Sequence, residues 1–256
     1  MLDFGCGSGR VLRHFAELSK DVELWGCDID RPSIEWLQEH LSPPLHVLTN
    51  DKRPPLDLPS EHFDLIYAIS VFTHLTEEWS SWLLELRRLL KPGGLLVATF
   101  LGAGAARVLE PLAWHEPWEE ERVGMHLIAL GTPWDLGGPC VMHGRWWIEA
   151  HWSRAFEILS LSPGADGRQG MLVGRKTSER APTREELERF EPGEPREVEA
   201  LVWSLRQAHA EIVSMRAQVH DADAQLARIG ELERELELEV RCRDSGVLRR
   251  ILSGRW

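Results

Sequence analysis

No stretch of eighteen consecutive apolar residues occurs in the chain, which excludes a transmembrane helix of ordinary hydropathy. The N-terminus, Met1-Leu2-Asp3-Phe4-Gly5, has no basic segment followed by an apolar run, so no signal peptide is read there. Cysteine is scarce: Cys6, Cys27, Cys140 and Cys242 form no CxxC pair and no disulfide framework, the usage of a reducing cytoplasm. Basic side chains are too few to balance the acids, 29 against 41, for a net charge of −12. A chain this acidic gains no general attraction to a phosphate backbone, so a nucleic acid is not expected as a partner. Tyrosine occurs once, against twelve tryptophans. An apolar fraction of 43 % and a charged fraction of 27 % are ordinary for a globular protein.

Over the first hundred residues, short apolar runs alternate with helical patterns. Strands are expected at Met1–Phe4, Val22–Cys27, Leu45–Leu48, Phe63–Ile69 and Leu95–Phe100, the last after a Lys91–Gly94 turn. Helices are expected at Val11–Leu18, at Pro32–Leu41 with proline in the first turn, and at Glu77–Leu90. That rhythm, with continuous apolar runs in the strands, predicts an α/β fold around a largely parallel sheet. Phe156–Leu161 and Gly170–Arg175 could add a final strand pair. Residues 103–150 are rich in Gly, Pro, His and Trp and show little periodicity apart from an apolar run near Met125–Leu130.

The most informative segment is Leu2-Asp3-Phe4-Gly5-Cys6-Gly7-Ser8-Gly9-Arg10. A strand runs into three alternating glycines, which let the backbone turn sharply and approach a ligand. Asp28 ends the second strand, where an acid can accept hydrogen bonds from both ribose hydroxyls of an adenosine ligand. The dinucleotide fingerprint G-x-G-x-x-G would need glycine where Arg10 stands, which disfavours a nicotinamide-dependent oxidoreductase.

Four segments together, LDFGCGSGR, WGCDID, FDLIYAISVFTHL and LRRLLKPGGLLVATF, resemble the class I S-adenosylmethionine-dependent methyltransferases, nearest the small-molecule type 11/12 group. The resemblance spans residues 1–176, is weaker over 103–150, and resumes at Trp152-Ser153-Arg154-Ala155-Phe156-Glu157. It implies a Rossmann-like, doubly wound, seven-stranded, mostly parallel sheet whose last strand is antiparallel. Relative to the family, the helix before the glycine loop is missing and the first strand is short, which reads either as a truncated domain or as a start set too late. The cofactor implied is S-adenosyl-L-methionine, with Gly5, Cys6, Gly7 and Gly9 along its methionine and ribose. Asp3 would bond the loop or, through water, the cofactor amine. Asp28 would hold the ribose, Ile29 would pack on the adenine, and Asp51 would meet the adenine amine. Ser70 would offer backbone contacts near the methyl donor.

A base is needed only if the acceptor must lose a proton, and His74, leaving the fourth strand, is the catalytic candidate. Its alternative role is to cap or pack on the following helix. The insert at 103–152 is expected to cover the substrate. Trp114, Trp118, Trp134, Trp146 and Trp147 would form an apolar or sugar-stacking wall, or else the insert's own core. Cys140, His143 and His151 match no zinc spacing, so no metal is expected. The implied acceptor is a small molecule or glycan precursor.

Residues 177–196 are polar, hold Pro182, Pro192 and Pro195, and read as a linker. Beyond it, Val198, Leu205, Ile212, Val219 and Leu226 alternate with Leu201, Ala208, Met215, Ala222, Ile229 and Leu236 at steps of three and four. Glu233 interrupts the first series and Val240 resumes it. This two-in-seven seam predicts a coiled coil over 197–243, ahead of a tail at 244–256, for self-association or a partner protein. The competing reading of the seam is one long amphipathic helix lying on the globular domain. For the whole chain, the alternative to an enzyme is a degenerate methyltransferase fold acting as a scaffold through that helix.

Overall fold

The computed structural model describes residues 1–102, 104–105, 123–128, 132, 137–162, 164 and 168–252, with the backbone alone for Glu239 and 242–252. The chain divides into two units, Met1–Ser204 and Leu205–Trp256.

Unit 1 is built on a seven-stranded sheet of order β3-β2-β1-β4-β5-β9-β8. The strands are β1 (Leu2–Phe4), β2 (Leu24–Asp28), β3 (Leu45–Thr49), β4 (Phe63–Ala68), β5 (Leu90–Phe100), β8 (Glu157–Ser162) and β9 (Gly170–Arg175). β1 to β5 pair in parallel, and β9 runs antiparallel between β5 and β8. β1 is buried throughout, Asp3 included, and β4 at Phe63 and from Ile66 to Ala68, as strands covered on both faces of a sheet are. Helix α1 (Arg31–Leu41) buries Ile34 and Leu37 against the glycine loop, and α2 (Trp79–Leu89) buries Trp82, Leu83 and Leu86 in the main core.

Two local expectations change form. The segment after the glycine loop is a 3-10 helix, Leu12–Lys20. Its apolar residues Leu12, Phe15 and Leu18 recur every three positions, which is the 3-10 repeat. The Lys91–Gly94 turn lies inside β5 as an irregularity in its pairing with β4. There Gly93 takes φ +79° and its N–H donates to the Lys176 carbonyl.

The insert contributes a two-stranded antiparallel hairpin, β6 (Met125–Ile128) with β7 (Cys140–His143), followed by α3 (Arg145–Trp152). Trp146, Trp147 and Trp152 are buried in the main core, with Phe72 tilted against Trp152 at 4.6 Å and Trp79 edge-on to Trp147 at 4.9 Å. Trp114, Trp118 and Trp134 lie outside the described residues.

The expected linker is partly a docked segment. It contains α4 (Arg184–Glu188), whose Thr183 and Glu186 close a reciprocal capping box and whose Leu187 is fully buried. The Arg154 guanidinium donates to the carbonyls of Glu186, Leu187 and Arg189, and buried His151 bridges the Leu187 carbonyl and the Glu197 carboxylate, each at 2.9 Å. Polar composition therefore marks buried hydrogen bonding here as well as solvation. The last helix, α5 (Arg196–Leu252), is unbroken. Ala200 and Trp203 on its first turns pack in unit 1, Trp203 against His126. Within unit 2, Leu205, Ile212, Val219, Leu226, Ile229 and Leu236 are exposed. No described helix is long and apolar enough to cross a membrane.

Candidate functional site

β1 and β4 are neighbours although β2 and β3 lie on the other side of β1, so the strand order reverses between them. In open α/β sheets a crevice opens outside the carboxyl ends of the strands at such a point. Here it is a cavity of about 700 Å³. Gly5, Cys6 and Gly7 after β1, Asp28 and Ile29 after β2, Asn50 and Asp51 after β3, and Ser70 and His74 after β4 line it.

The glycine loop is folded onto Asp28. The Gly7 N–H donates to Asp28 Oδ2 at 2.7 Å, and the Asp30 N–H donates to Asp28 Oδ1 at 2.8 Å. Each carboxylate oxygen thus has one backbone partner and keeps acceptor capacity for a ligand. Gly5 and Gly7 have φ +82° and +50°. A side chain on Gly5 would strike Val71 at 2.3 Å, whereas one on Gly7 would meet nothing within 4 Å. Gly5 is therefore needed for packing, and Gly7 leaves the backbone bare where a ligand approaches. Ile29 is 45 % exposed, an apolar platform beside the carboxylate.

Two expected residues fall outside the lining. Gly9 packs the loop on α1: a Cβ there would come 2.6 Å from Leu37. Asp3 is buried, and its carboxyl is pushed up to about 7, chiefly by burial, with the Tyr67 hydroxyl and the Leu12 amide opposing. An unfolded Asp releases its proton near pH 4, so the folded chain binds the extra proton between about pH 4 and 7 and loses stability across that window as pH rises. Asp3→Asn should flatten this decline. Parallel denaturation series at pH 5 and pH 8 check it, and an unchanged pH dependence would mean that Asp3 titrates normally.

Ser70 lines the cavity at the exit of β4. It takes φ +61°, rare for a residue with a side chain and a mark of a constrained strand exit. Its N–H donates to Thr99 Oγ1 at 2.7 Å and its carbonyl accepts from Thr73 Oγ1 at 2.8 Å. Its N–H is thereby engaged inside the fold, while its carbonyl keeps a second lone pair. His74 lines the cavity, and its Nδ1 lies 2.9 Å from the Pro139 carbonyl. A carbonyl only accepts, so Nδ1 is the donor in this contact. The Val141 N–H donates to the Thr73 carbonyl at 2.8 Å, which pins the same loop to β7.

Trp146 and Trp147, read from the sequence as either a substrate wall or the insert's own core, are buried in the main core of unit 1. Wall residues that the sequence reading missed include Trp82 and Asn50. Trp82 is held by its indole N–H to the Lys52 carbonyl at 3.1 Å and packs on Phe4 at 4.7 Å. Asn50 Oδ1 is buried with no partner, an acceptor awaiting a donor. Its place directly before Asp51 was the available signal. At the mouth, Glu78 pairs with Arg53 at 3.0 Å and Arg184 at 3.3 Å. Among the described residues no cluster of His, Cys, Asp and Glu could hold a metal.

The family model described as "Methyltransferase domain" matches residues 2–96, which contain every lining element just described up to the end of β4 and α2. The chain is 30 % identical over 104 residues to the ubiquinone biosynthesis O-methyltransferase of Bradyrhizobium sp., covering 40 % of this chain and 39 % of that one. It is 31 % identical over 138 residues to a ubiquinone/menaquinone biosynthesis C-methyltransferase of Bordetella avium, covering 48 % and 50 %. It is 28 % identical over 107 residues to a tRNA N(3)-cytidine methyltransferase of Gallus gallus, covering 38 % and 29 %. The chain thus spans half or less of the length of these curated relatives. Two solved structures share the fold. One is the methyltransferase in the complex with the Haloferax volcanii Trm112 activator (TM-score 0.52, 15 % identity, 71 % of this chain and 83 % of that one). The other is an S-adenosylmethionine dependent methyltransferase from Mesorhizobium loti (TM-score 0.50, 16 % identity, 68 % and 89 %). Residues 2–96, with their glycine loop folded onto the acid that ends β2, thus match a methyltransferase domain, and the chain is similar over 40 % to 48 % of its length to the quinone-biosynthesis methyltransferases.

Proposed function

We propose that the chain transfers the methyl group of S-adenosyl-L-methionine to a small-molecule or saccharide acceptor. The observation that carries this is the Asp28 carboxylate, oriented by the Gly7 and Asp30 amides at the edge of a cavity large enough for the cofactor. The donor set fits the group. Asp28 has acceptor capacity for the ribose hydroxyls, Gly7 leaves room for the chain of the ligand, and Ile29 offers a face for the adenine. The orphaned Asn50 Oδ1 can accept from the adenine amine or a hydroxyl, with Asp51 beside it.

The cofactor supplies a methyl group already activated by a sulfonium charge. The residues then have to hold an acceptor in line and exclude water, an effect worth up to ~7–11 kcal/mol. His74, in the cavity lining with Nδ1 donating to the Pro139 carbonyl, is the side chain that would take a proton from an acceptor hydroxyl. The acidic balance of the chain, −12, argues against a polynucleotide acceptor despite the tRNA-modifying relative.

Calorimetric titration with S-adenosylhomocysteine tests the cofactor assignment. Absence of heat at millimolar ligand would leave the fold as a scaffold. For the base, transfer of a labelled methyl group into a small-molecule extract should drop roughly 10²–10⁴-fold in His74→Gln with cofactor affinity kept. Undiminished transfer would show that the acceptor needs no base.

A further inference from the structure

We propose that the exposed seam of α5 pairs with the same helix of a second copy, antiparallel, in one register: Val219 packs against Ala222 of the partner subunit. The seam residues Leu205, Ile212, Val219, Leu226, Ile229 and Leu236 lie exposed over residues 205–236, roughly 48 Å of helix at ~1.5 Å per residue. A stripe of that length, bordered by charge, is a surface with one geometric complement, another such stripe.

Charge selects orientation and register. In a parallel pair each core residue meets its own copy, so Glu233 would face Glu233 of the partner subunit within the apolar seam. In an antiparallel pair the two core series face each other. Setting Val219 against Ala222 of the partner subunit places Ile212 on Ile229 of the partner subunit and Leu205 on Leu236 of the partner subunit. Glu233 then meets Ala208 of the partner subunit, whose small side chain lets the carboxylate reach water. The flanking positions agree: Arg216 sits beside Asp223 of the partner subunit, and by symmetry this ion pair forms twice. A slip of one heptad toward either end sets Arg216 against its own copy, or Asp223 against its own copy. The proposed register alone among the three turns these two charges into attraction. This inference rests on the helix and not on the cofactor assignment.

Sedimentation equilibrium on the full chain, with circular dichroism to confirm unchanged helix content, provides the test. The chain should be a dimer at tens of micromolar. Arg216→Glu should raise the dimer dissociation constant roughly tenfold, since two attractions become two repulsions. Adding Asp223→Arg should restore it, because the reversed pair Glu–Arg forms across the same antiparallel contact. A parallel pair predicts otherwise: Arg216 then neighbours Glu211 of the partner subunit, so the second substitution restores nothing. A monomer at a hundred micromolar, a higher oligomer, an unaffected Arg216→Glu or an unrestored double variant each overturns the proposal. A monomer would assign the seam to a different protein.

Discussion

Asp28→Ala should weaken S-adenosylhomocysteine binding by roughly 2–4 kcal/mol, some 30- to 1000-fold, the largest effect expected of any single change in the cavity. Two terms combine. The ribose loses two charge-assisted acceptors. The Gly7 and Asp30 N–H groups, now donating to Asp28 at 2.7 and 2.8 Å, lose the anchor that holds the glycine loop in shape. Asp28→Asn is no conservative replacement, because the amide nitrogen must face one of those N–H groups, donor against donor. It should bind only modestly better than the alanine variant. Global stability should fall far less, since the carboxylate is half-exposed at the end of β2. Isothermal titration of both variants decides the matter, and wild-type affinity in Asp28→Ala would place the cofactor elsewhere.

The largest stability loss should come from a residue remote from the cavity, Arg87. Its side chain is buried on α2, and its guanidinium donates to the carbonyls of Ala155 at 2.8 Å, Glu179 at 2.7 Å and Thr177 at 3.3 Å. These carbonyls belong to the turn after α3 and to the chain leaving β9, so one side chain ties three segments. Burial lowers its affinity for the proton, and the Glu179 charge opposes that in part. Arg87→Leu keeps some packing but leaves three carbonyls without donors. Each fully buried orphan costs about 1–3 kcal/mol, and because the Thr177 and Glu179 carbonyls are only part-buried the total should fall at about 3–5 kcal/mol, with a drop in melting temperature on the order of 10 °C. Arg87→Lys should recover only part, because a single ammonium cannot span three directions. Urea denaturation with an unchanged slope checks it. A loss under ~1 kcal/mol would mean that water takes over the carbonyls.

The α/β class, the strand positions and the path of the glycine loop were legible in the residues, because burial on both faces of a parallel sheet demands unbroken apolar runs. Asp28 and the Gly5-Cys6-Gly7 run were legible for a similar reason: local backbone chemistry, three glycines then an acid one strand later, sets a crevice wherever strand order reverses. The heptad seam was legible as a period, which any helix displays along its length. What only the tertiary structure decided are contacts between segments far apart in the chain. Trp146 and Trp147 could read as wall or core, and tertiary packing put them in the main core, where Trp82 also lies while lining the cavity. The polar stretch at 177–196 read as linker because its buried partners, His151, Arg154 and Arg87, lie up to about a hundred residues away and leave no periodic trace. The Nδ1 proton of His74 is set by a carbonyl 65 residues later in the insert. Periodicity records which face a residue turns, but hydrogen-bond partners across the sheet are chosen by the fold as a whole.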